Sequence, residues 1–125
     1  MYLCDTHTLI WFLNNPLLLS ERARQEIEQS PHIYVSIASL WEIAIKQTLG
    51  KLTIDATPQG VAQLCRDNTI DILPVTIAHL ERLHSLPYVH RDPFDRLIIA
   101  QAQEENLTII SKDARMAGYN VPVLW

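Results

Sequence analysis

Four acids stand where predicted strands give way to predicted helices or loops. Asp5 follows the apolar run Tyr2 to Cys4, and Glu42 lies early in the helical stretch "SLWEIAIKQTLG". Asp95 falls in the first turn of the helix within "HRDPFDRLIIAQA", and Asp113 comes just after the strand "LTIIS". Parallel α/β sheets bind ligands outside the carboxyl ends of their strands, so these positions converge on one place. Two carboxylates about 4 Å apart repel by about 4 kcal/mol at an effective dielectric of 20. Helix N-termini relieve only part of that, about 0.3 to 1 kcal/mol each. A divalent cation relieves far more, and an all-oxygen ligand set favours a hard ion, Mg²⁺ or Mn²⁺. The chemistry this points to is metal-assisted phosphodiester hydrolysis.

Each acid also has a purely structural reading. Asp92 is a good N-cap, Pro93 suits the first helical position, and Asp95 then sits at N3 like the acid of a capping box. Glu42 can complete a capping box with Ser39, and Asp113 can be an ordinary loop acid. Asp5 is the hardest to dismiss, because a carboxylate between a buried strand and an apolar helix is costly without a partner.

Other chemistries find little support. His79 and His84 are five apart, off a shared helical face, and no cysteine pair has zinc spacing. There is no Gly-rich phosphate loop and no G-x-S-x-G elbow.

The elements that must position the acids alternate between strand and helix. Tyr2 to Cys4 open a strand, and Leu9 to Leu13 supply the apolar residues of a helix that "NNP" ends. Ser20 caps a second helix to Gln29 with an exposed charged face, and "HIYVS" reads as the next strand. "SLWEIAIKQTLG" is a helix closed by Gly50 at C′. Thr57-Pro58 opens another helix, with Val61, Leu64 and Cys65 on one face. "IDILPV" is a strand that Pro74 confines to an edge or ends, and Thr76 caps a helix to about Ser85. A helix from Pro93 to about Glu105, a turn at Asn106, "LTIIS" and a short strand near "VPVLW" complete the chain. The expected architecture is a three-layer α/β/α sandwich with a mostly parallel central sheet, one domain over residues 1 to 125.

The 125 residues suffice for a core without disulfides or a structural metal, and 48% hydrophobic with 19% charged residues is the composition of a globular chain. The N-terminal stretch lacks the basic segment and cleavage site of a signal peptide, so it reads as mature protein. No apolar run spans a bilayer, and Cys4 and Cys65 read as buried thiols in a reducing compartment, so the expectation is a soluble cytoplasmic protein. A net charge of -4 argues against nonspecific coating of nucleic acid, but not against a local basic rim. Arg91, Arg96, Lys112 and Arg115 flank the later acids, and Lys46 and Lys51 follow Glu42.

"DTHTLIW", "SLWEIAIKQTLGKL", "HRDPFDRLIIAQA" and "LTIISKD", in this order and separation, resemble the PIN-domain family, and within it the VapC-like ribonuclease toxins of type II toxin-antitoxin modules. The resemblance implies that Asp5, Glu42 and Asp95 are the core metal-binding and catalytic acids, with Asp113 a fourth. Thr6 and Ser111 match hydroxyls that the family places near the site, and Asp92 more naturally caps the helix. Arg96 matches the arginine after the third acid, with packing, an ion pair and substrate contact all open. The family pattern T-x-D-x-x-F is met here by Ser111, Asp113 and Met116, which keep the hydroxyl and the apolar anchor. The implied protein is a Mg²⁺- or Mn²⁺-dependent endoribonuclease, a homodimer, held inactive by a cognate antitoxin. Trp11, Phe12 and Trp41 suit an interface, and core packing explains them equally well. Two readings compete: a catalytically silent PIN-like binding module, opposed by the presence of all four acids, and an aspartate-nucleophile phosphatase, opposed by His7 where a second aspartate is expected.

Overall fold

The computed structural model describes all 125 residues. Five short strands, β1 (Tyr2–Cys4), β2 (Ile33–Ser36), β3 (Ile70–Leu73), β4 (Thr108–Ile110) and β5 (Val123–Leu124), form one sheet in the order β3-β2-β1-β4-β5. Every pair is parallel, with Leu3 opposite both Tyr34 and Ile109. The sheet is therefore wholly parallel rather than mostly so. β3 ends at Leu73, one residue before Pro74, and occupies an edge as that proline requires.

Alternation along the strands feeds two cores. Cys4, Ile33, Val35 and Ile110 face one, shared with α1 (Thr6–Asn14), α2 (Glu21–Gln29), α3 (Ile37–Thr48) and α4 (Pro58–Asp67). Leu3 and Ile109 face the other, together with Ile98, Ile99 and Ala102 of α6 (Pro93–Glu105), while α5 (Ile77–His84) packs on α6. Burying each such aliphatic side chain contributes about 1.5 to 3 kcal/mol, so a parallel sheet must be apolar on both faces.

The chain runs outward from β1 through β2 to β3, then crosses back to place β4 on the opposite side of β1. Helices following the outward path cover one face and those of the return path the other, as right-handed crossovers demand. The reversal of direction lies between β1 and β4. A crevice opens there at the carboxyl ends of the strands.

Local sequence sets the helix ends. Ser20, Thr57 and Thr76 accept from backbone N–H groups of Ala23, Gly60 and His79. Gly50 (φ 69°) closes α3 in a Schellman arrangement, with Lys51 N–H on the Lys46 carbonyl and Gly50 N–H on Gln47. Asn106 ends α6 at φ 56°, as the expected turn there requires.

Two local expectations are corrected. α3 starts at Ile37, with Ser36 as its N-cap, so Ser39 is inside the helix and makes no capping box with Glu42. In α4, Val61 and Cys65 are buried, but Leu64 is 38% exposed because it lies beyond the edge of the buried stripe. Trp11 and Phe12 are half-buried, and Trp41 is exposed. No helix is long and apolar enough to cross a membrane.

Candidate metal centre

Asp5 leaves β1 as the N-cap of α1. Its Oδ1 accepts from Thr8 N–H at 2.9 Å, and its Oδ2 accepts from the Ser111 hydroxyl. The carboxylate is buried, and each of its oxygens has a donor. Ser111 sits just after β4, and its Oγ also accepts from Asp113 N–H at 3.0 Å. One hydroxyl thus ties the end of β1 to the end of β4.

Thr6 and Ser39 lock α1 to α3 through a buried hydroxyl pair, Thr6 Oγ1 donating to Ser39 Oγ at 2.9 Å. Glu42 follows Ser39 by three residues, on the same face of α3. It is buried; one carboxylate oxygen, Oε2, pairs with Lys46 Nζ at 3.0 Å, and the other, Oε1, has no hydrogen-bond partner. A buried carboxylate oxygen left unpartnered is costly unless something else occupies its lone pairs.

Asp92 caps α6 by accepting from Asp95 N–H at 3.0 Å, which fixes Asp95 at N3 with its side chain 17% exposed. The Asp95 carboxyl is pushed up to about 7, first by burial, then by the charges of Asp92, Asp5, Glu42 and Asp113. The fields of all the other acids therefore meet at Asp95. Asp113 behaves oppositely. Arg115 grips it through Nε at 3.0 Å and Nη2 at 2.9 Å and holds its carboxyl down at about 2.

His90 is the residue the sequence reading missed. It is buried, with Nε2 2.9 Å from Asp95 Oδ2 and 3.3 Å from Asp113 Oδ2, though its N–H points squarely at neither. Its Nδ1 accepts from Asp92 N–H at 3.2 Å, so the ring proton is assigned to Nε2. His90, Asp95 and Asp113 have ligand-type atoms within 4.8 Å of one another. With its proton on Nε2, the imidazole sets an N–H beside the two acids rather than a lone pair toward a metal. The available signal was the histidine inside "HRDPFDR", two residues before the capping aspartate, where Nδ1 can take the N–H that a turn leaves open.

Arg96 contacts the loop that precedes α6. Its guanidinium donates to the carbonyls of Pro87 at 2.9 Å and His90 and Leu86 at 3.4 Å, donates to the Tyr119 hydroxyl at 3.2 Å, and stacks 4.8 Å over the Tyr88 ring. It clamps the loop that carries His90. Asp92 likewise acts as a cap, and Met116 is fully buried as an apolar anchor.

The residues present fit a divalent cation. Oxygen donors dominate, Glu42 Oε1 lacks a partner, and the mutual repulsion collected at Asp95 is what a cation removes.

A wholly parallel sheet with acids gathered at its switch point defines an α/β protein with a carboxylate-rich site. The chain belongs to the PIN domain family, whose model matches residues 2–121. It is 33% identical to Ribonuclease VapC22 of Mycobacterium tuberculosis, over 96% of this chain and 92% of that protein. Its fold is similar to that of VapBC2 from Rickettsia felis bound to a promoter DNA fragment, with a TM-score of 0.76 at 15% identity over 98% of this chain and 96% of the other. It is also similar to a toxin-antitoxin complex from Klebsiella pneumoniae, with a TM-score of 0.69 at 20% identity over 100% and 97% of the two chains.

Proposed function

We propose that this protein is the ribonuclease toxin of a toxin-antitoxin module, a single cytoplasmic domain that hydrolyses RNA phosphodiester bonds with Mg²⁺ or Mn²⁺. The observation that carries the reading is the set of acids at the strand ends: buried Asp5 and Glu42, the latter with one oxygen unpartnered, and part-buried Asp95 and Asp113, both within 3.3 Å of His90 Nε2. The family membership, the full-length likeness to a named ribonuclease and the toxin-antitoxin assemblies among its structural relatives all support it.

Asp5, Glu42 and Asp95 would hold the ion, with Asp113 completing the acidic wall. When bound, the cation supplies Lewis-acid polarisation of the phosphoryl group and a lowered pKa for attacking water. The chain's own residues prepare that site. Ser111 and Thr8 N–H orient the Asp5 carboxylate, Lys46 holds one oxygen of Glu42 so that the other faces inward, and the Asp92 cap sets Asp95. His90 Nε2 lies near both Asp95 and Asp113, at 2.9 and 3.3 Å.

The same reading includes a homodimer and an antitoxin that covers exposed apolar surface. Trp41, 62% exposed and edge-on to Phe94 at 5.1 Å, is a large apolar group available to such a partner. Purified, partner-free protein should cleave a mixed RNA substrate with Mn²⁺ and stop when EDTA is added. Cleavage indifferent to EDTA would refute the metal-dependent mechanism, and absence of cleavage from every RNA tried would favour a silent binding module.

A further inference from the structure

Beside the acids lies a cavity of about 250 Å³ lined by Asp5, His7, Trp11, Lys112 and Asp113. It is small next to the roughly 300 to 1,000 Å³ of drug-sized ligand pockets, so it suits one flat ring rather than an extended molecule. Its walls come from the elements that set the metal centre. His7 and Trp11 are four apart in α1, hence on one helical face, and Lys112 lies between Ser111 and Asp113 in the loop after β4.

The Trp11 indole has two aromatic neighbours. Trp125 meets it edge-on at 5.7 Å and 61°, and the His7 ring is tilted against it at 5.8 Å and 42°. Lys112, also in the lining, has its Nζ 6.0 Å from the Trp11 centroid, at the outer limit of a cation–π contact. Lys46 is engaged with Glu42, Arg115 with Asp113, and Arg96 with the loop carbonyls and Tyr119, while Arg91 is not part of the cavity lining. Lys112 is exposed and pairs with no carboxylate within ion-pair reach, which leaves it to an incoming anion.

An aromatic wall, a second ring tilted beside it and a cation without an ion pair in the lining are complementary to a flat heterocycle carrying a phosphate. Resting on the ribonuclease reading, we infer that this cavity is a base-stacking subsite: a nucleobase of single-stranded RNA next to the scissile phosphate lies on Trp11 beside His7, with its phosphate drawn to Lys112. Stacking on an aromatic side chain is tolerant of sequence, and larger ring systems stack more strongly, so the pocket gives a purine preference at one position beside the cut. Such a subsite determines where the RNA is cut, whereas the acids determine whether it is cut.

The test separates the pocket from the acids. In a Trp41→Phe/Trp125→Phe protein Trp11 is the sole indole, and Asp95→Asn in that background stops turnover. Its fluorescence is titrated with short homopolymeric RNA oligonucleotides of each base. Saturable quenching, strongest with purines, is expected. In the otherwise unaltered protein, Trp11→Leu should raise KM about tenfold with a small change in kcat and blur the cut positions, while Trp11→Phe restores most of both. Unquenched Trp11 with all the oligonucleotides, or a folded Trp11→Leu protein with parental KM and cut sites, would overturn the subsite. Mn²⁺-dependent cleavage by the parent protein would still uphold the ribonuclease reading in that case. Quenching by RNA in a parent protein that never cleaves would overturn the ribonuclease reading and keep the pocket as an RNA contact.

Discussion

His90 Nε2 lies 2.9 Å from Asp95 Oδ2, and the same nitrogen is 3.3 Å from Asp113 Oδ2, so one buried imidazole stands between two acids brought from different elements. Groups that orient ligand carboxylates typically affect metal affinity or activity by about 10- to 100-fold when removed. His90→Ala should therefore weaken Mn²⁺ binding and slow RNA cleavage by that range. His90→Gln, whose amide can donate to the acids, should recover part of the loss. Calorimetric titration with Mn²⁺ checks both, and parental affinity in His90→Ala would assign the residue to packing alone.

Asp95 makes a prediction about pH. Its carboxyl rises from an ordinary 3.8 to about 7 in the folded protein. Between those values the native state holds the proton more tightly than the unfolded chain, so stability from this group falls as pH rises through that window. In EDTA, Asp95→Asn should be more stable than the parent at pH 8, by about 1 to 3 kcal/mol. The gap should close near pH 4, where the parent carboxyl is also neutral in the folded state. Urea melts at the two pH values test this, and an equal difference at both would show that the Asp95 charge is not the cause.

Ser111 should matter through geometry more than through stability. Ser111→Ala removes the donor to Asp5 and the acceptor for Asp113 N–H, at a cost of about 1 to 3 kcal/mol for the groups left unpaired. Activity should fall along with thermal stability. Ser111→Thr keeps the hydroxyl and should retain most of both, and equal loss in the two variants would point to crowding instead.

Much of this site could be read from residue types at strand ends. Asp92 and Asp95 occupy the cap and first-turn positions that their local sequence specified, because capping depends on neighbours within a few residues, whereas the caps made by Asp5 and by Asp113, on the turn Ala114–Gly118, were not read. Glu42 was found by place but not by local role. Ser36 outcompeted Ser39 as the cap, since α3 begins directly at the end of β2 with no loop between them. His90 was missed although Asp92 and Asp95 lie in its own motif, because its approach to Asp113 is set by the return of the chain to β4. The alternation of Leu3 and Cys4 into separate cores was implicit in a strand buried on both faces, whereas the strand order became visible only from the pairing of β1 with β4.

Arg96 supports the site at one remove. Loss of its bonds to the carbonyls of Leu86, Pro87 and His90 should loosen the loop, so Arg96→Ala should lower the melting temperature and reduce cleavage together. Lysine lacks the planar fork and should restore little of either. Amide exchange at Val89 and His90, whose N–H groups donate to Tyr119, would report the loosening directly. Unchanged protection in Arg96→Ala would contradict the clamp.

Asp5, Glu42 and Asp95 are proposed to hold one catalytic divalent site. The most direct measurement is Mn²⁺ binding followed by electron paramagnetic resonance, with RNA cleavage assayed in the same samples, for the parent protein and for Asp5→Asn, Glu42→Gln and Asp95→Asn. Binding and cleavage should be lost together in each folded variant and present together in the parent. Parental Mn²⁺ affinity in all of the variants, or cleavage that persists without bound Mn²⁺, would contradict the account.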